Sequence, residues 1–336
     1  MDIPHPRSPV DFKNVCFSDA VDLGGFIFPR IVNFDGAEFG KNVRFNRALF
    51  ADDANFLNST FASGADFQGT KFSRAGNFRG ATFYGSADFE TAMFCGGAYF
   101  DGATFLNDIF FQGAVFESET YFFEAKFQKS VPDFRDAKLR EATEWHDATW
   151  PDPPHDADGA YWQLYTYERL KAEMERLKKH EDEQFFFAKE LRARRALLWF
   201  TALNKAPRTA GAYRKPWAFS KRINAGFRWL LNRSYYFFSG YGLSIGRPLV
   251  ALGALLCVGA VIFATTNSLH DGPLRPGEAL ELSATNLISF LPYKPDNWLT
   301  AHLSKNAKWV RNAQSFFGLV LLFLLGLALR NRFRMK

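Results

Sequence analysis

Residues 34–61 read Phe34-Asp35-Gly36-Ala37-Glu38-Phe39-Gly40-Lys41-Asn42-Val43-Arg44-Phe45-Asn46-Arg47-Ala48-Leu49-Phe50-Ala51-Asp52-Asp53-Ala54-Asn55-Phe56-Leu57-Asn58-Ser59-Thr60-Phe61. A phenylalanine returns after five residues, then after six, then five again. The same beat extends upstream through Phe12, Phe17, Leu23 and Phe28 and downstream through Phe67, Phe72, Phe78, Phe83, Phe89, Phe94, Phe100, Phe105, Phe111, Phe116, Phe122 and Phe127. One extra residue enters near Pro132, and the ladder resumes at Phe134, Leu139, Trp145 and Trp150. The true period is therefore eleven, and a repeat of this kind decides an architecture before any local propensity does.

Neither five nor six keeps a residue on one stripe of an α-helix. A right-handed coiled coil shares the period of eleven. Glycine inside the units (Gly36, Gly69, Gly80, Gly102, Gly113) argues against it, since glycine in a helix interior costs about 1 kcal/mol. In an extended piece, residues two apart face the same way. Each rung and the small residue two before it (Val32, Ala37, Val43, Ala48, Ala54, Ala65, Ala81, Ala87, Ala98, Ala103) thus point inward, and Asp66, Lys71, Thr82 and Asp88 between them point to water. Turn formers follow the rungs: Asp35-Gly36, Gly40-Lys41-Asn42, Gly85-Ser86, Gly96-Gly97, Asn107-Asp108. The expected structural stack is Phe34, Phe39, Phe45, Phe50, Phe56, Phe61, Phe67, Phe72, Phe78, Phe83, Phe89, Phe94, Phe100 and Phe105.

Tandem small-x-Phe-x-x units resemble the pentapeptide-repeat family over Val10 to Trp150. That resemblance implies a mainly β fold, a right-handed, four-sided β-helix. The plain family motif repeats every five residues, whereas here every second corner carries one more. A coil of 22 residues is expected instead of about 20, with about six and a half coils at ~4.8 Å each.

Residues 1–9 form a short N-terminal lead without the pattern of a secretory signal, and 10–150 the solenoid, ended by Pro151-Asp152-Pro153-Pro154. Residues 151–204 read as a helical hairpin, with stripes at Leu164, Tyr167, Leu170, Met174 and Leu177, then at Phe185, Ala188 and Leu191; packing on the end of the solenoid is the expected role. Charge divides along the chain. Residues 1–150 carry 14 basic and 21 acidic side chains, and the remainder 27 and 14. Such asymmetry points the second half toward a polyanion or a membrane. The segment 205–247 holds Lys205, Arg208, Arg214, Lys215, Lys221, Arg222, Arg228, Arg233 and Arg247, no acid, and interleaved aromatics including Trp217, Trp229 and Tyr235. That composition suits single-stranded nucleic acid or an anionic bilayer surface.

The next segment decides for the bilayer. Residues 248–269 are free of charge for 22 positions, enough to cross a hydrocarbon core of ~30 Å. Residues 312–329 form a second apolar window between Arg311 and Arg330, with arginines able to snorkel at both ends. Residues 270–311 form a loop, and 330–336 a basic tail. Basic residues flank both spans on one side, so both termini are expected in the cytoplasm of a bacterial inner-membrane protein. The membrane-interface residues are Arg228, Trp229, Arg233, Arg247, Arg311 and Arg330. Gly253, Cys257, Ala260 and Ala264 form a small-residue stripe suited to helix contacts, including contacts between copies. The loop contains Leu282 to Pro292, read as an amphipathic surface helix or a short re-entrant one, with Ser283, Thr285, Asn286 and Ser289 as pore-like residues. This layout weakly resembles two-span cation channels, yet no run of filter-like carbonyl donors follows.

Cys16, Cys95 and Cys257 share no metal spacing and fit a reducing compartment. No phosphate-cradling loop, His-Glu-x-x-His or nucleophile constellation is present, so no catalysis, metal or cofactor is expected. The leading expectation is a membrane-anchored scaffold whose rigid cytoplasmic β-helix meets a protein partner. The alternative is an oligomeric two-span, channel-like protein with the β-helix as its sensor. A DNA-mimicking topoisomerase inhibitor, implied by the family resemblance, ranks last because fourteen bases dilute the acidic rod; nucleic acid is not an expected partner.

Overall fold

The computed structural model describes residues 9–203, 219–265, 274–287 and 303–334. The chain divides into two compact units, Met1–Arg222 and Ile223–Lys336. In the first, twenty-three strands of two residues each run from β1 (Val10–Asp11) to β23 (Thr143–Glu144). They build four parallel sheets of seven, six, five and five strands, and consecutive strands up to the twenty-second fall on successive sheets. Val32 lies opposite Ala54, and Phe61 opposite Phe83, an offset of 22 residues. The chain is thus a four-sided solenoid of about six coils. At the extra residue near Pro132 the offset becomes 23, with Phe110 bridged to Asp133 and Thr120 paired with Thr143.

Strands stay at two residues because each face must turn a corner almost at once, and the corners are of two kinds. After Phe34 the Ala37 N–H donates to the Phe34 carbonyl at 2.9 Å, and Gly36 takes φ +66. This is a type II turn, whose third residue needs positive φ. The same left-handed position recurs every eleven residues and is filled by glycine or asparagine at some coils, but by Arg47, Thr91 and Glu124 at others. The alternate corner holds the additional residue and no positive φ among the described residues. The strand phase differs accordingly. Val43–Arg44 precedes its rung Phe45, whereas Leu49–Phe50 includes its rung.

Inside, the rings form four columns. Phe67 stacks between Phe45 and Phe89, with centroids at 5.0 and 4.8 Å and planes within 10° and 3°. Across the bore, Phe56 and Phe78 meet its edge at 5.5 and 5.4 Å. Offset stacking along a column and edge contacts across it suit the ring quadrupole. From Val32 to Ala103 the small residue two before the rung is buried as expected, whereas Val10 and Val15 in the first coil are exposed. Of the positions assigned to water, Lys71 is exposed, but Asp66, Thr82 and Asp88 are half-buried, because the coils above and below flank each outward side chain at the strand spacing. Ser59 and Thr70 replace the usual alanine in two inward rows half a coil apart, and their hydroxyls donate to the carbonyls of Phe56 and Phe45 at 2.6 and 2.7 Å.

The last coil is closed by α1 (Ala157–Arg176) and α2 (His180–Ala202). Asp156 caps α1 by accepting from the Gly159 N–H at 2.7 Å. Trp145 continues the Phe122 column at 4.7 Å, and Phe186 sets its edge against Trp145 and Trp150 at 5.9 and 5.1 Å. Tyr167, Leu170, Met174 and Phe186 belong to the same apolar cluster as the solenoid rings. Of the second expected stripe Ala188 is buried, but Phe186 takes the place of Phe185. Phe186 is fully buried and Phe185 exposed, because the face of α2 that meets the terminal tryptophans is set by the lid and not by α2 alone. Arg176 donates to the Leu139 carbonyl at 3.3 Å and Lys179 to that of Thr143, so side chains satisfy carbonyls that no further coil can reach.

The second unit contains most of α3 (Phe219–Ser239), then α4 (Gly246–Thr265), α5 (Pro276–Leu287) and α6 (Lys305–Arg334). Two of these, α4 and α6, are long and apolar enough to cross a membrane, with 17% and 22% of their most apolar windows buried.

Candidate functional sites on the solenoid and the apolar helices

The outward residues of each face form vertical rows at one residue per coil. On the β1 face, Asn33, Asn55 and Asn77 form a ladder. Each amide donates to the side chain one coil earlier at 2.9 Å, beginning with Asn33 to Asp11. The asparagine oxygens also accept from the backbone N–H two residues on, so every amide is fixed in orientation. The row continues as Tyr99 and Tyr121. The Arg79 guanidinium lies 4.0 Å from the Tyr99 ring centroid, and the Tyr99 hydroxyl donates to Glu119 at 2.8 Å. That bond raises the Tyr99 pKa, while the Ser118 hydroxyl donating to Glu119 lowers that of the carboxyl.

Acids and bases alternate between coils. Lys41 meets Asp19 at 2.7 Å, Lys13 meets Asp35 at 2.7 Å, Arg79 meets Asp101 at 2.8 Å and Lys129 meets Asp108 at 2.7 Å. Exposed pairs of this kind contribute little stability, but they break up the acidic surface that a nucleic-acid mimic needs. Asp66 and Asp88 stand in register, and burial, more than the neighbouring Glu90 and Asp66, pushes the Asp88 carboxyl up. The face that carries β4 (Ile27–Phe28) is different. Its outward row is Ile27, Leu49, Lys71, Met93 and Val115, with Ile27 and Met93 exposed. In the hairpin, buried Glu190 is held by Lys171 at 2.6 Å and Arg194 at 2.8 Å. Lys189, mostly desolvated, is pushed down to about 8. Among the described residues, no group of three or more His, Cys, Asp or Glu is placed to hold a metal ion.

In the second unit, Ser283 and Asn286 of α5 are buried, and Thr285 is half-buried. Ser283 Oγ donates to the Leu256 carbonyl at 2.8 Å. Gln314 Nε2 of α6 donates to Ser283 Oγ and to the Leu255 carbonyl, the latter at 3.2 Å. Asn286 Nδ2 donates to Gln314 Oε1 at 3.3 Å. Thr285 bonds back to its own helix at the Leu282 carbonyl, 2.9 Å away. Ser289 lies outside the described residues, as does the rest of the loop from 288 to 292. Leu255 and Leu256 fall at the middle of the 20-residue α4, so α5 accompanies this apolar helix to about half its length.

This approach is permitted by Gly259. A Cβ there would meet Gln314 Nε2 at 2.3 Å and Ser283 Oγ at 2.6 Å. The small-residue stripe read from the sequence lies elsewhere on α4. Gly253 and Cys257 are exposed, and Ala260 and Ala264 only half-buried. The helix contact instead uses Gly259 and Phe263, the side facing the polar residues of α5 and α6. Of the interface residues, Arg228, Arg233, Arg247 and Arg330 are exposed, and Trp229 and Arg311 half-buried.

The asparagine ladder was visible as Asn33, Asn55 and Asn77 at intervals of 22, but only the coil length makes those residues neighbours. Gln314 carried no signal beyond being a polar residue in an apolar window. Residues 23–71, 67–114 and 78–126 match the family model described as pentapeptide repeats (9 copies). No curated protein and no solved structure matches the chain.

Proposed function

We propose that this chain, a pentapeptide-repeat protein over residues 23–126, is a membrane-anchored scaffold that holds a rigid β-solenoid at the cytoplasmic face for a protein partner. The observation that carries the reading is one chain combining a solenoid closed by its own hairpin with two apolar helices that are mostly uncovered. The basic residues before α4 and after α6 favour cytoplasmic termini. The solenoid faces support a docking role and not chemistry. Their polar rows are held by bonds between coils, and the β4 face offers the apolar row of Ile27, Leu49 and Met93. Photo-crosslinkers at Leu49 and Met93 in the full chain in its membrane test this. One discrete adduct, absent with crosslinkers at Asn55 and Asn77, is the expected result; no adduct from any of the four positions, nor from crosslinkers at Asp66 and Thr82 on the two remaining faces, overturns the scaffold.

A second reading, an oligomeric channel-like protein with the solenoid as sensor, is favoured by the packing of α5 alongside α4 to mid-span. Against it, Ser283 and Asn286 spend their hydrogen bonds on Leu256 and Gln314 within one chain. Current across bilayers containing the purified protein would favour this second reading; silence in an assembled oligomer would remove it.

A further inference from the structure

The helix α3 carries Arg222, Arg228 and Arg233 and no acid. Its apolar residues are turned outward. Ile223, Phe227, Leu230, Leu231, Phe237 and Phe238 are all exposed, Phe227 at 59% and Phe237 at 69%. At 3.6 residues per turn these six fall within an arc of about 120°, with Arg228 beyond one edge and Arg233 beyond the other. The opposite side of the helix is the one already engaged. Ala225 and Ser239 are buried, and Asn232 accepts from the Tyr241 hydroxyl at 2.8 Å. A large apolar face on a soluble surface marks an interaction site.

The turn between α3 and α4 is firmly tied. Tyr241 is buried, and Asn331 near the end of α6 donates to the Gly242 carbonyl at 3.2 Å. Arg247 Nη1 donates to the Tyr236 carbonyl at 2.8 Å, with the guanidinium 5.0 Å from the Tyr236 ring centroid. Only residues 240–245 separate α3 from the apolar helix α4. The exposed stripe therefore ends shortly before the apolar helix α4 begins, and the only charged side chains on its helix are cations.

We propose that α3 lies in the headgroup region of an anionic bilayer, its Phe227–Leu230–Phe237 face in the acyl boundary and Arg228 and Arg233 on lipid phosphates. The proposal rests on the anchored reading above and adds a lipid requirement to it. An amphipathic helix with this arrangement gains from both apolar burial and surface charge, and each arginine at an anionic surface strengthens binding about fivefold. The occupant of the face is lipid, and not a second copy of the chain, because the cations at both edges would repel their counterparts across a self-interface while matching an anionic surface.

The test uses the full chain with Cys16, Cys95 and Cys257 replaced by serine, reconstituted into phosphatidylglycerol or phosphatidylcholine vesicles. Nitroxide labels go singly at Phe227, Leu230 and Phe237, with span labels at Val258 and Leu319, both exposed on their helices. The expected result in phosphatidylglycerol is that α3 labels are relaxed by oxygen and shielded from a water-soluble nickel complex. Arg228→Gln with Arg233→Gln should then shift the docking equilibrium toward water about 25-fold, with no such shift in phosphatidylcholine. Labels on α3 that are open to nickel, or closed to both reagents, overturn the proposal while the span labels remain in lipid. Equal shielding in both lipids, unchanged by the double substitution, overturns the anionic requirement. Span labels open to nickel would remove the anchored reading itself.

Discussion

Replacing Phe67 by alanine probes the stack at its middle. The side chain is fully buried, and it loses two stacked partners, Phe45 and Phe89, and three edge partners, Phe56, Phe61 and Phe78. Removing a buried phenylalanine costs roughly 3–5 kcal/mol. Aromatic pairs add about 0.5–1.5 kcal/mol each beyond their area, which places Phe67→Ala at the upper end, about 4–5 kcal/mol. A chain ending at Leu203 retains the solenoid and the hairpin that shares its core. For a domain of that size each kcal/mol moves the melting temperature by about 2–4 °C, so a fall of roughly 8–20 °C is expected in thermal melts followed by circular dichroism. Two companions set the scale. Phe17→Ala, half-buried in the first coil, has neighbours on one side only and should cost less than half as much, as expected when stability is carried by contacts between adjacent repeats. Asp66→Asn keeps the oxygen that accepts from the Gln68 N–H at 2.9 Å and should stay within about 0.5 kcal/mol. Equal losses for Phe67→Ala and Asp66→Asn, or a larger loss at Phe17, would refute the stacked interior.

Other outcomes follow from single positions. Thr91 sits at φ +55, where an L-residue is strained by about 1–2 kcal/mol; Thr91→Gly should therefore raise the melting temperature despite removing side-chain contacts. Gly85→Ala should lower it, because the new Cβ would stand 2.3 Å from the Ser63 carbonyl carbon. Burial raises the Asp88 pKa, which penalises the folded state at pH values above the carboxylate range and not below it; Asp88→Asn should stabilise at pH 7, and urea titrations should show that gain fading as pH falls through about 4. The Lys189 ammonium is depressed to about 8, so the folded state sheds its proton before the unfolded chain does. Wild-type stability relative to Lys189→Met should accordingly rise between pH 8 and the ordinary lysine range, and parallel pH profiles for the two proteins would contradict the assignment.

The rings, the 22-residue coil and the added residue near Pro132 were legible in the sequence because one strong signal, a large apolar side chain at fixed spacing, marks each face. The corners were only half legible. Glycine at 36, 69, 80, 102 and 113 announces a left-handed position, but Arg47, Thr91 and Glu124 occupy the same position without any compositional sign. Their conformation is imposed by the coils on either side, so the surrounding stack overrides local preference. The hairpin stripes were visible, yet the choice of Phe186 over Phe185 depends on where Trp145 and Trp150 stand. In the second unit hydropathy located the apolar helices, whereas the contact through Gly259 and Gln314 needed three segments far apart in the chain. The stripe at Gly253 and Cys257 is not the one used within the chain, because small residues mark permission for close approach and not its occurrence.

The central claim is that a stacked solenoid and two lipid-embedded helices belong to one anchored molecule. An alkaline carbonate wash of membranes from cells producing either the full chain or residues 1–203 tests it most directly. The account predicts that the full chain stays in the pellet while residues 1–203 pass to the supernatant as a folded β-rich protein. Recovery of the full chain in the supernatant would contradict it.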